Sequence, residues 1–379
     1  MGILKKVKKK IYNSNLVQRE YKKYSLASAK PANQDNYVFH KGTDKYYLVK
    51  TAFGDIFFNL DDENLENDVV ANLLKKSDNN YFIDEATLLV NFLNPKENSV
   101  GGGNALLDLG ANLGTISFPF AKAGYKVFGF EGNALNCKQL NRTKDFNGFD
   151  CNFYNVAVTD ISGNYKFISK GPWGHLVKDA GDEEGNPIKG ISIDDWYEQN
   201  PFAEDVAIMK IDIEGGELAA LKGMQKFLKA KNYPMLYVES CMWLLGYQDL
   251  TPRDFVKEFE AIGYETYLLK DAQTVEKFNN DFQLEPVTDF LFVHKSNLDF
   301  LQTKTVINQT NSIKDFYKAA SSLAPLFQEY FRSFALQILK LKELQDAEYL
   351  DEFLKLEISF DNQEAKDVYN KLLDLRKEM

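Results

Sequence analysis

The sequence has 379 residues, of which 44% are hydrophobic and 26% charged, a composition that excludes a mostly disordered chain and allows one large domain or two ordinary ones. Its three cysteines include no C-x-x-C pair, which excludes a disulfide scaffold and a cysteine-built zinc site. The net charge is −10, but residues 1–30 carry nine Lys/Arg against one Glu, so the other 349 residues carry −18. We expect no nucleic-acid partner, because phosphate contacts need a basic surface.

Residues 1–35 form a basic arm, in which Ile3, Val7 and Ile11 recur at helical spacing between lysines. Two interpretations stay open: an amphipathic helix that rests weakly on an anionic membrane through residues 1–25, or a solvated, frayed segment. No apolar run approaches the ~18 residues of a membrane span, and no apolar stretch follows the lysines as in a secretory signal. We expect a cytoplasmic protein, either free or peripheral to the inner face of the membrane.

The predicted elements begin with an accessory β/α segment at residues 36–100, with short strands over 37–60 and helix over 64–95. A Gly-rich hinge at 97–104 follows. Strands then alternate with helices up to residue 294, interrupted by a less regular stretch at 165–190. This alternation predicts a mostly parallel sheet covered on both faces over residues 101–297. The predicted strands lie at 105–109, 126–130, 151–156, 208–213, 235–239, 265–269 and 290–294.

Residues 298–379 are predicted to form a helical extension. Within it an apolar stripe recurs at 4-3-4-3 spacing, which is typical of one buried face of a helix. The stripe either covers the sheet or joins two chains into a homodimer through the C-terminal helices. Its members are Phe327, Phe331, Phe334, Ile338 and Leu341.

The sharpest motif is LLDLGANLG at residues 106–114, an apolar strand that enters a Gly-rich turn and opens a helix. Gly110 and Gly114 allow backbone N–H groups to approach a ligand closely. Glu131 lies 21 residues past Gly110, where an acid can accept hydrogen bonds from both ribose hydroxyls of an adenosine cofactor. A dinucleotide site would read G-x-G-x-x-G, and Asp108 would repel a pyrophosphate. The pattern therefore favours S-adenosylmethionine, with its cationic amine and sulfonium, over NAD.

A second motif places Lys210, Asp212 and Glu214 alternately with isoleucines, so we expect the three charges on one side of a strand. A sheet buried on both faces holds such charges only where they serve a site or neutralise each other. The alternative to a functional site is a structural Lys–Asp pair, with Glu214 and Glu217 capping the next helix.

With these motifs the sequence resembles the FkbM family of S-adenosylmethionine-dependent methyltransferases. The resemblance rests on the blocks LLDLGANLGTIS, FEGN, NVAV, IMKIDIEGGELAALKG and LYVES, and it covers roughly residues 100–295. It implies a Rossmann-like, seven-stranded class I methyltransferase sheet and O-methylation, which many members perform on sugars of polysaccharides, glycolipids or antibiotics. Two features depart from the family: Gly132 replaces the usual proline of F-E-P, and both terminal extensions fall outside the family core.

The resemblance also implies roles for single residues. Glu131 would hold the ribose of S-adenosylmethionine, and Asp212 would lie near its methyl group. The methionine end of the cofactor would be held by Asp108, Gly110, Asn112, Gly114 and Thr115. The adenine would be held by Asn155, Val156 and Ala157.

Methyl transfer to a hydroxyl needs an aligned acceptor and a base that removes the proton. Asp212 and His175, the latter in the irregular segment after the third strand, are alternative bases. A third role for Asp212, together with Glu214 or Glu239, is to bind a divalent cation that orients two sugar hydroxyls. The identity of such a metal stays open.

We therefore expect an O-methyltransferase for a sugar hydroxyl of a glycan or of a nucleotide-linked sugar precursor. The predicted loop aromatics Trp173, Trp243 and Tyr247 suit the apolar face of a sugar ring, or else plug the core. Two alternatives are an NAD-linked oxidoreductase with a Rossmann domain, disfavoured by the missing G-x-G, and a catalytically silent methyltransferase-fold binding subunit. The presence of Asp108, Glu131 and Asp212 argues against the silent subunit, because a protein without catalytic activity has no use for these three acids.

Overall fold

The computed structural model describes residues 38–41, 43–60, 68–75, 81–93, 103–170, 173–178, 185–279, 281–326, 328–356, 358, 360 and 363–379. The basic arm and its predicted membrane contact lie outside these residues. Within them, no helix is both long enough and apolar enough to cross a bilayer.

The accessory segment packs its apolar side into the core of the central sheet. Phe58 is fully buried and meets the Phe118 ring edge-on at 5.4 Å, and the Asn59 amide donates to Thr143 Oγ1 at 2.9 Å. The accessory segment therefore covers one face of the central sheet and shares the core of that sheet.

The accessory segment consists of an antiparallel three-stranded sheet and two helices. These are β1 (Val38–Lys41), β2 (Asp44–Thr51), β3 (Gly54–Asn59), α1 (Val69–Lys75) and α2 (Tyr81–Leu93).

Residues 105–308 contain the alternating strands and helices that the sequence predicts, with two additional strands near their end. The elements are β4 (Ala105–Leu109), α3 (Ser117–Lys122), β5 (Lys126–Phe130), α4 (Ala134–Asn147), β6 (Cys151–Tyr154), β7 (Ala157–Val158), β8 (Gly163–Lys170), β9 (Trp173–Lys178), β10 (Asn186–Ile191), α5 (Ile193–Gln199), β11 (Val206–Ile211), α6 (Glu217–Lys222), α7 (Gln225–Ala230), β12 (Met235–Cys241), α8 (Met242–Tyr247), α9 (Pro252–Glu260), β13 (Tyr264–Leu269), β14 (Thr274–Lys277), β15 (Val287–His294) and β16 (Thr305–Asn308).

The central sheet has nine strands in the order β16-β14-β13-β15-β12-β11-β4-β5-β6. From β12 to β6 neighbouring strands run parallel, and β15 runs antiparallel between β12 and β13. The seven strands from β6 to β13 have the order and the single reversed strand of a class I methyltransferase sheet. The predicted fold class is therefore confirmed, and the carboxyl ends of β4, β5, β11 and β12 meet at one edge, where open α/β sheets bind ligands.

Side chains alternate between two cores on the two faces of this sheet. Leu106 and Ile208 face the core shared with the accessory segment, whereas Leu107 and Met209 face the opposite core. Each strand is apolar on both sides because both faces are covered. A charged side chain in these strands therefore has to be neutralised where it lies.

Two regions differ from the sequence prediction. The stretch at 165–190 is not irregular: β8, β9 and β10 form a four-stranded sheet with β7. Many of its described residues are exposed, so it lacks the apolar runs that reveal a core strand. In addition, β16 pairs with β14 inside the segment predicted to be wholly helical. The four domain boundaries stay predictions.

The helical extension buries its apolar stripe within the chain. Phe331, Phe334 and Ile338 are fully buried, and Phe331 stacks on Phe353 at 5.2 Å. Phe327 lies outside the described residues. A homodimer through these helices would therefore need a surface other than the stripe. The helices are α10 (Ile313–Leu323), α11 (Gln328–Lys340), α12 (Ala347–Leu354) and α13 (Gln363–Glu378).

Replacing Phe334 with Ala should lower the free energy of unfolding by about 3–5 kcal/mol, the usual cost of a large cavity in a core. Urea denaturation measures this loss, and sedimentation velocity should show the same oligomeric state for variant and wild type. Val306→Ala is the control, because the Val306 side chain is exposed on the edge strand β16. A dimeric wild type that Phe334→Ala converts into stable monomers would contradict the intrachain packing.

Candidate active site

The Gly-rich turn after β4 lies against the end of β11. The Asp212 amide donates to the Leu109 carbonyl at 2.9 Å, and Gly110 has a φ of 92°. A Cβ on Gly110 would collide with the Asp212 carbonyl oxygen. Gly110 is thus required both for its left-handed backbone and for the close approach of the two strand ends.

Glu131 joins the Gly-rich turn to the loop after β5. Its two carboxylate oxygens accept from the backbone amides of Asn112 and Asn133, each at 2.7 Å. Asn136 holds the Asn112 side chain in turn, at 3.1 Å. Burial raises the pKa of Glu131 to about 7, while the two amides oppose that shift. Each oxygen has a second lone pair, so Glu131 retains the capacity to accept from two ligand hydroxyls.

Asp108 is buried beside the turn and is partly satisfied from within it. Its Oδ2 accepts from the Ser117 hydroxyl at 2.6 Å. Burial raises the pKa of Asp108 to about 6, and the Ser117 hydrogen bond and the Lys210 ammonium oppose the rise. Thr115 is also buried in this turn.

The loop after β5 explains the missing proline of the family pattern. A Cβ on Gly132 would lie 3.0–3.5 Å from ring atoms of Phe167 on β8, so there is little room for a proline ring. The Asn155 amide donates to the carbonyls of Glu131 and Gly132, at 2.9 and 3.3 Å. Asn155 therefore braces this loop, and the expected adenine contacts of Asn155, Val156 and Ala157 stay predictions.

Lys210 is a buried cation at the centre of several carboxylates. Its Nζ lies 3.2 Å from Asp289 Oδ1, 3.5 Å from Asp212 Oδ2 and 3.7 Å from Glu85 Oε1. Only 5% of the Lys210 side chain is exposed, against 18–33% for these three carboxylates. Burial alone would lower the pKa of Lys210, but the surrounding carboxylates, including Glu239, raise it well above its usual value. The ammonium is therefore inside, and its acidic partners face the crevice.

The remaining acids of the second motif have separate places. β11 ends at Ile211, so Glu214 does not share its face but lies in the following turn with a φ of 56°. Glu217 Oε1 accepts from the Ile213 and Gly215 amides, at 3.1 and 3.0 Å. Burial raises the pKa of Glu217 to about 7. For Glu217 the capping interpretation applies, since it holds the turn that begins α6.

The described residues contain no group of three or more His, Cys, Asp or Glu arranged to hold a metal ion. The physical reason is Lys210, whose ammonium occupies the centre of the carboxylate group and meets Asp212 directly. A divalent cation on Asp212 with Glu214 or Glu239 would have to displace it.

The other predicted acceptor residues lie on regular elements. His175 belongs to β9, where its backbone pairs with Ile168, and its role as base stays a prediction. Trp173 begins the same strand. Trp243 and Tyr247 belong to α8 rather than to a loop, and Trp243 packs against Tyr330 at 5.8 Å.

Two residues of the site were missed from the sequence, Glu85 and Asp289. Asp289 could have been found from the sequence, because it is the one carboxylate in the otherwise uncharged strand VTDFLFV. In the sheet it lies opposite Glu239 in the antiparallel register of β12 and β15. Glu85 gave no such signal, since its place depends on how α2 packs over the sheet.

The family model of the methyltransferase FkbM domain matches residues 108–266. No curated protein matches the chain. Among solved structures, a T. thermophilus 16S rRNA N2 methyltransferase in complex with AdoMet and guanosine is 13% identical, with a TM-score of 0.33, covering 71% of this chain and 53% of its own. A Pyrococcus abyssi tRNA (uracil-54, C5)-methyltransferase in complex with S-adenosyl-L-homocysteine is 14% identical, with a TM-score of 0.30, covering 69% and 44%. The chain thus spans about half the length of these two proteins.

The matched residues include the Gly-rich turn, the acidic loop with Glu131 and the whole of β11 and β12. They also contain four of the seven strands of the class I order in full, with parts of β4 and β13. Residues 108–266 thus match the methyltransferase FkbM domain, and this match includes the Gly-rich turn and the acidic loop of the candidate site.

Proposed function

We propose that this protein transfers a methyl group from S-adenosylmethionine to a sugar hydroxyl of a glycan or of a nucleotide-linked sugar precursor. The observation that carries the proposal is the meeting of Asp108, Glu131 and Asp212 around one Gly-rich turn, at the carboxyl ends of β4, β5 and β11. Bound S-adenosylmethionine supplies the electrophilic methyl group.

The chemistry of these side chains fits that cofactor. Asp108 and Asp212 suit a ligand that carries an amine and a sulfonium, because both ligand charges are positive. The free lone pairs of Glu131 suit the two hydroxyls of a ribose. The same acids would repel the pyrophosphate of NAD, which disfavours an oxidoreductase.

Asp212 is the best-placed base in the crevice. It lies at the end of β11, a third of its side chain is exposed, and the Lys210 ammonium lies 3.5 Å from its Oδ2. A carboxylate so placed can accept the proton of an acceptor hydroxyl. His175 on β9 is the rival base, and a cation on Asp212 is the remaining alternative.

The acceptor side of the crevice is rich in hydrogen-bond acceptors. Asp212 and Asp289 are partly exposed there, and their oxygens can accept from several hydroxyls of one sugar. An RNA acceptor is disfavoured by the acidic surroundings. We place the reaction on the cytoplasmic side of the membrane, with weak membrane contact through residues 1–25.

One ammonium cannot neutralise all the carboxylates around it, so some of them hold protons. Burial raises the pKa of Glu85 to about 8, and Lys210 opposes that shift. Burial, followed by the charge of Asp212, likewise raises the pKa of Glu239 well above its usual value. Glu85 is therefore mostly neutral at pH 7 and takes little part in neutralising Lys210.

Glu131→Gln should weaken S-adenosylhomocysteine binding by about 1–3 kcal/mol, because one oxygen that accepts from a ribose hydroxyl becomes a donor. Isothermal titration calorimetry measures this loss. The matched control is Glu204→Gln, a surface carboxylate paired with Lys126, which should leave the affinity unchanged. Tight NAD binding by a wild type that ignores S-adenosylhomocysteine would refute the methyltransferase function.

Asp212→Asn should preserve folding and lower turnover by ~10²–10⁴, the usual range for a lost acid–base group. The assay uses methyl-labelled S-adenosylmethionine with a panel of sugars, oligosaccharides and nucleotide sugars, and with tRNA as comparison. His175→Ala should be comparably damaging only if His175 is the base, and activity lost in EDTA and restored by Mg²⁺ or Mn²⁺ would indicate a metal. Label in tRNA and in no sugar would exclude the proposed acceptor.

The stability of the protein should decrease between about pH 5 and pH 8 through Glu85 and should level off above that range. Its folded pKa of about 8 exceeds the ordinary 4.5, so unfolding releases a proton between these values. The stabilisation is complete below pH 4.5 and is lost as the pH rises through 8. Urea denaturation should show wild type losing stability relative to Glu85→Gln, which does not titrate. In Glu265→Gln, whose carboxylate pairs with Lys277, no such difference should develop over this range.

A further inference from the structure

The Lys210 ammonium lies closer to Asp289 on β15 than to Asp212, the proposed base at the end of β11. Its Nζ donates a hydrogen bond to Asp289 Oδ1 at 3.2 Å, whereas Asp212 Oδ2 lies 3.5 Å away as an ion-pair partner. The Tyr237 ring lies beside the ammonium, 5.3 Å from its centroid. The position of the ammonium is thus set by a residue of a strand outside the family match, which ends at residue 266.

No neighbouring carboxylate can replace Asp289 in this role. Glu239 lies directly opposite Asp289 on β12, but its burial favours the protonated form. Glu85 is farther from the ammonium, at 3.7 Å, and is likewise held toward its neutral form. Without the charge of Asp289, Asp212 is the carboxylate nearest to the ammonium, at 3.5 Å against 3.7 Å for Glu85.

We propose that Asp289 is a positioning residue, which takes the hydrogen bond of the Lys210 ammonium so that the Asp212 carboxylate, 3.5 Å from the ammonium, keeps lone pairs for the cofactor and the acceptor. A lysine that pairs tightly with Asp212 would occupy its lone pairs and cancel its charge. In the triad Asp289–Lys210–Asp212 the ammonium donates its hydrogen bond to Asp289 and is only an ion-pair partner of Asp212. This inference rests on the proposed function, which puts Asp212 near the methyl group.

The test compares two ligands that differ in charge at one atom. S-adenosylmethionine carries a sulfonium and S-adenosylhomocysteine a neutral sulfur, so the ratio of their Kd values reports the negative potential that Asp212 supplies. Calorimetry on the full chain at pH 7.5 is run on wild type, Asp289→Asn, Asp212→Asn and the double variant. Glu265→Gln, a paired carboxylate elsewhere on the sheet, is the matched control.

Asp289→Asn should raise the Kd of S-adenosylmethionine about 3- to 10-fold and that of S-adenosylhomocysteine less than about 2-fold, as expected for one partly screened charge. Because Asp289 acts through Asp212, the double variant should bind S-adenosylmethionine no more weakly than Asp212→Asn alone. Asp289→Glu keeps the charge and should restore most of the selectivity. The control should match wild type.

Equal weakening of both ligands, or additive losses in the double variant, would overturn the positioning role. Should Asp289→Asn fold poorly, Asp289→Glu decides alone, since loss of selectivity in a charge-retaining variant contradicts the inference. If wild type binds both ligands and Asp289→Asn keeps the wild-type ratio, only the positioning role fails. A wild type that binds neither ligand refutes the proposed function as well.

Discussion

A buried lysine that cannot be left unpaired determines the arrangement of the site. Lys210 lies in a strand covered on both faces, where an isolated ammonium would be strongly destabilising. Three carboxyl groups lie within 3.7 Å of the Lys210 ammonium. They belong to Asp212 at the end of β11, Asp289 on β15 and Glu85 on α2. Because one cation faces several acids, the excess negative charge faces the crevice, where a cationic cofactor is expected. The same interaction that stabilises the fold therefore prepares the site.

The sequence predicted the part of this arrangement that is local. A strand, a tight turn and an acid at the next strand end follow one another in the chain, so Gly110 and Glu131 could be assigned before any packing was known. The mostly parallel sheet followed from the alternation of strands and helices, and its class I type from the resemblance to the family. The position of Glu85 could not be predicted, because it depends on how a helix of the accessory segment lies over the sheet. The four-stranded sheet around β8 was missed for the opposite reason, since its exposed strands lack an apolar pattern.

The stripe in the C-terminal helices shows the limit of periodicity. The 4-3-4-3 spacing correctly identified a buried face, but it does not specify what buries it. Phe331 and Phe334 pack within the chain, on aromatic side chains contributed by later and earlier helices. An intersubunit seam would have the same spacing. Only the presence of those partners in the same chain distinguishes the two, and they lie up to some 20 residues away.

The extensions outside the family core are joined to the site, the N-terminal one by a direct contact and the C-terminal one through the stretch at residues 246–249. The N-terminal segment supplies Glu85. The helical extension reaches the crevice through α8: Arg332 binds the Gly246 carbonyl and pairs with Asp249 at 3.0 Å. In the same stretch, Gln248 donates to the Gly215 carbonyl at 3.2 Å, in the turn that follows Asp212. A guanidinium that is nearly buried, bonded to a backbone carbonyl and to a carboxylate, fixes that stretch far more firmly than an exposed ion pair would. The N-terminal segment thus places a carboxyl group beside Lys210, and the helical extension holds the stretch that contacts the turn after Asp212.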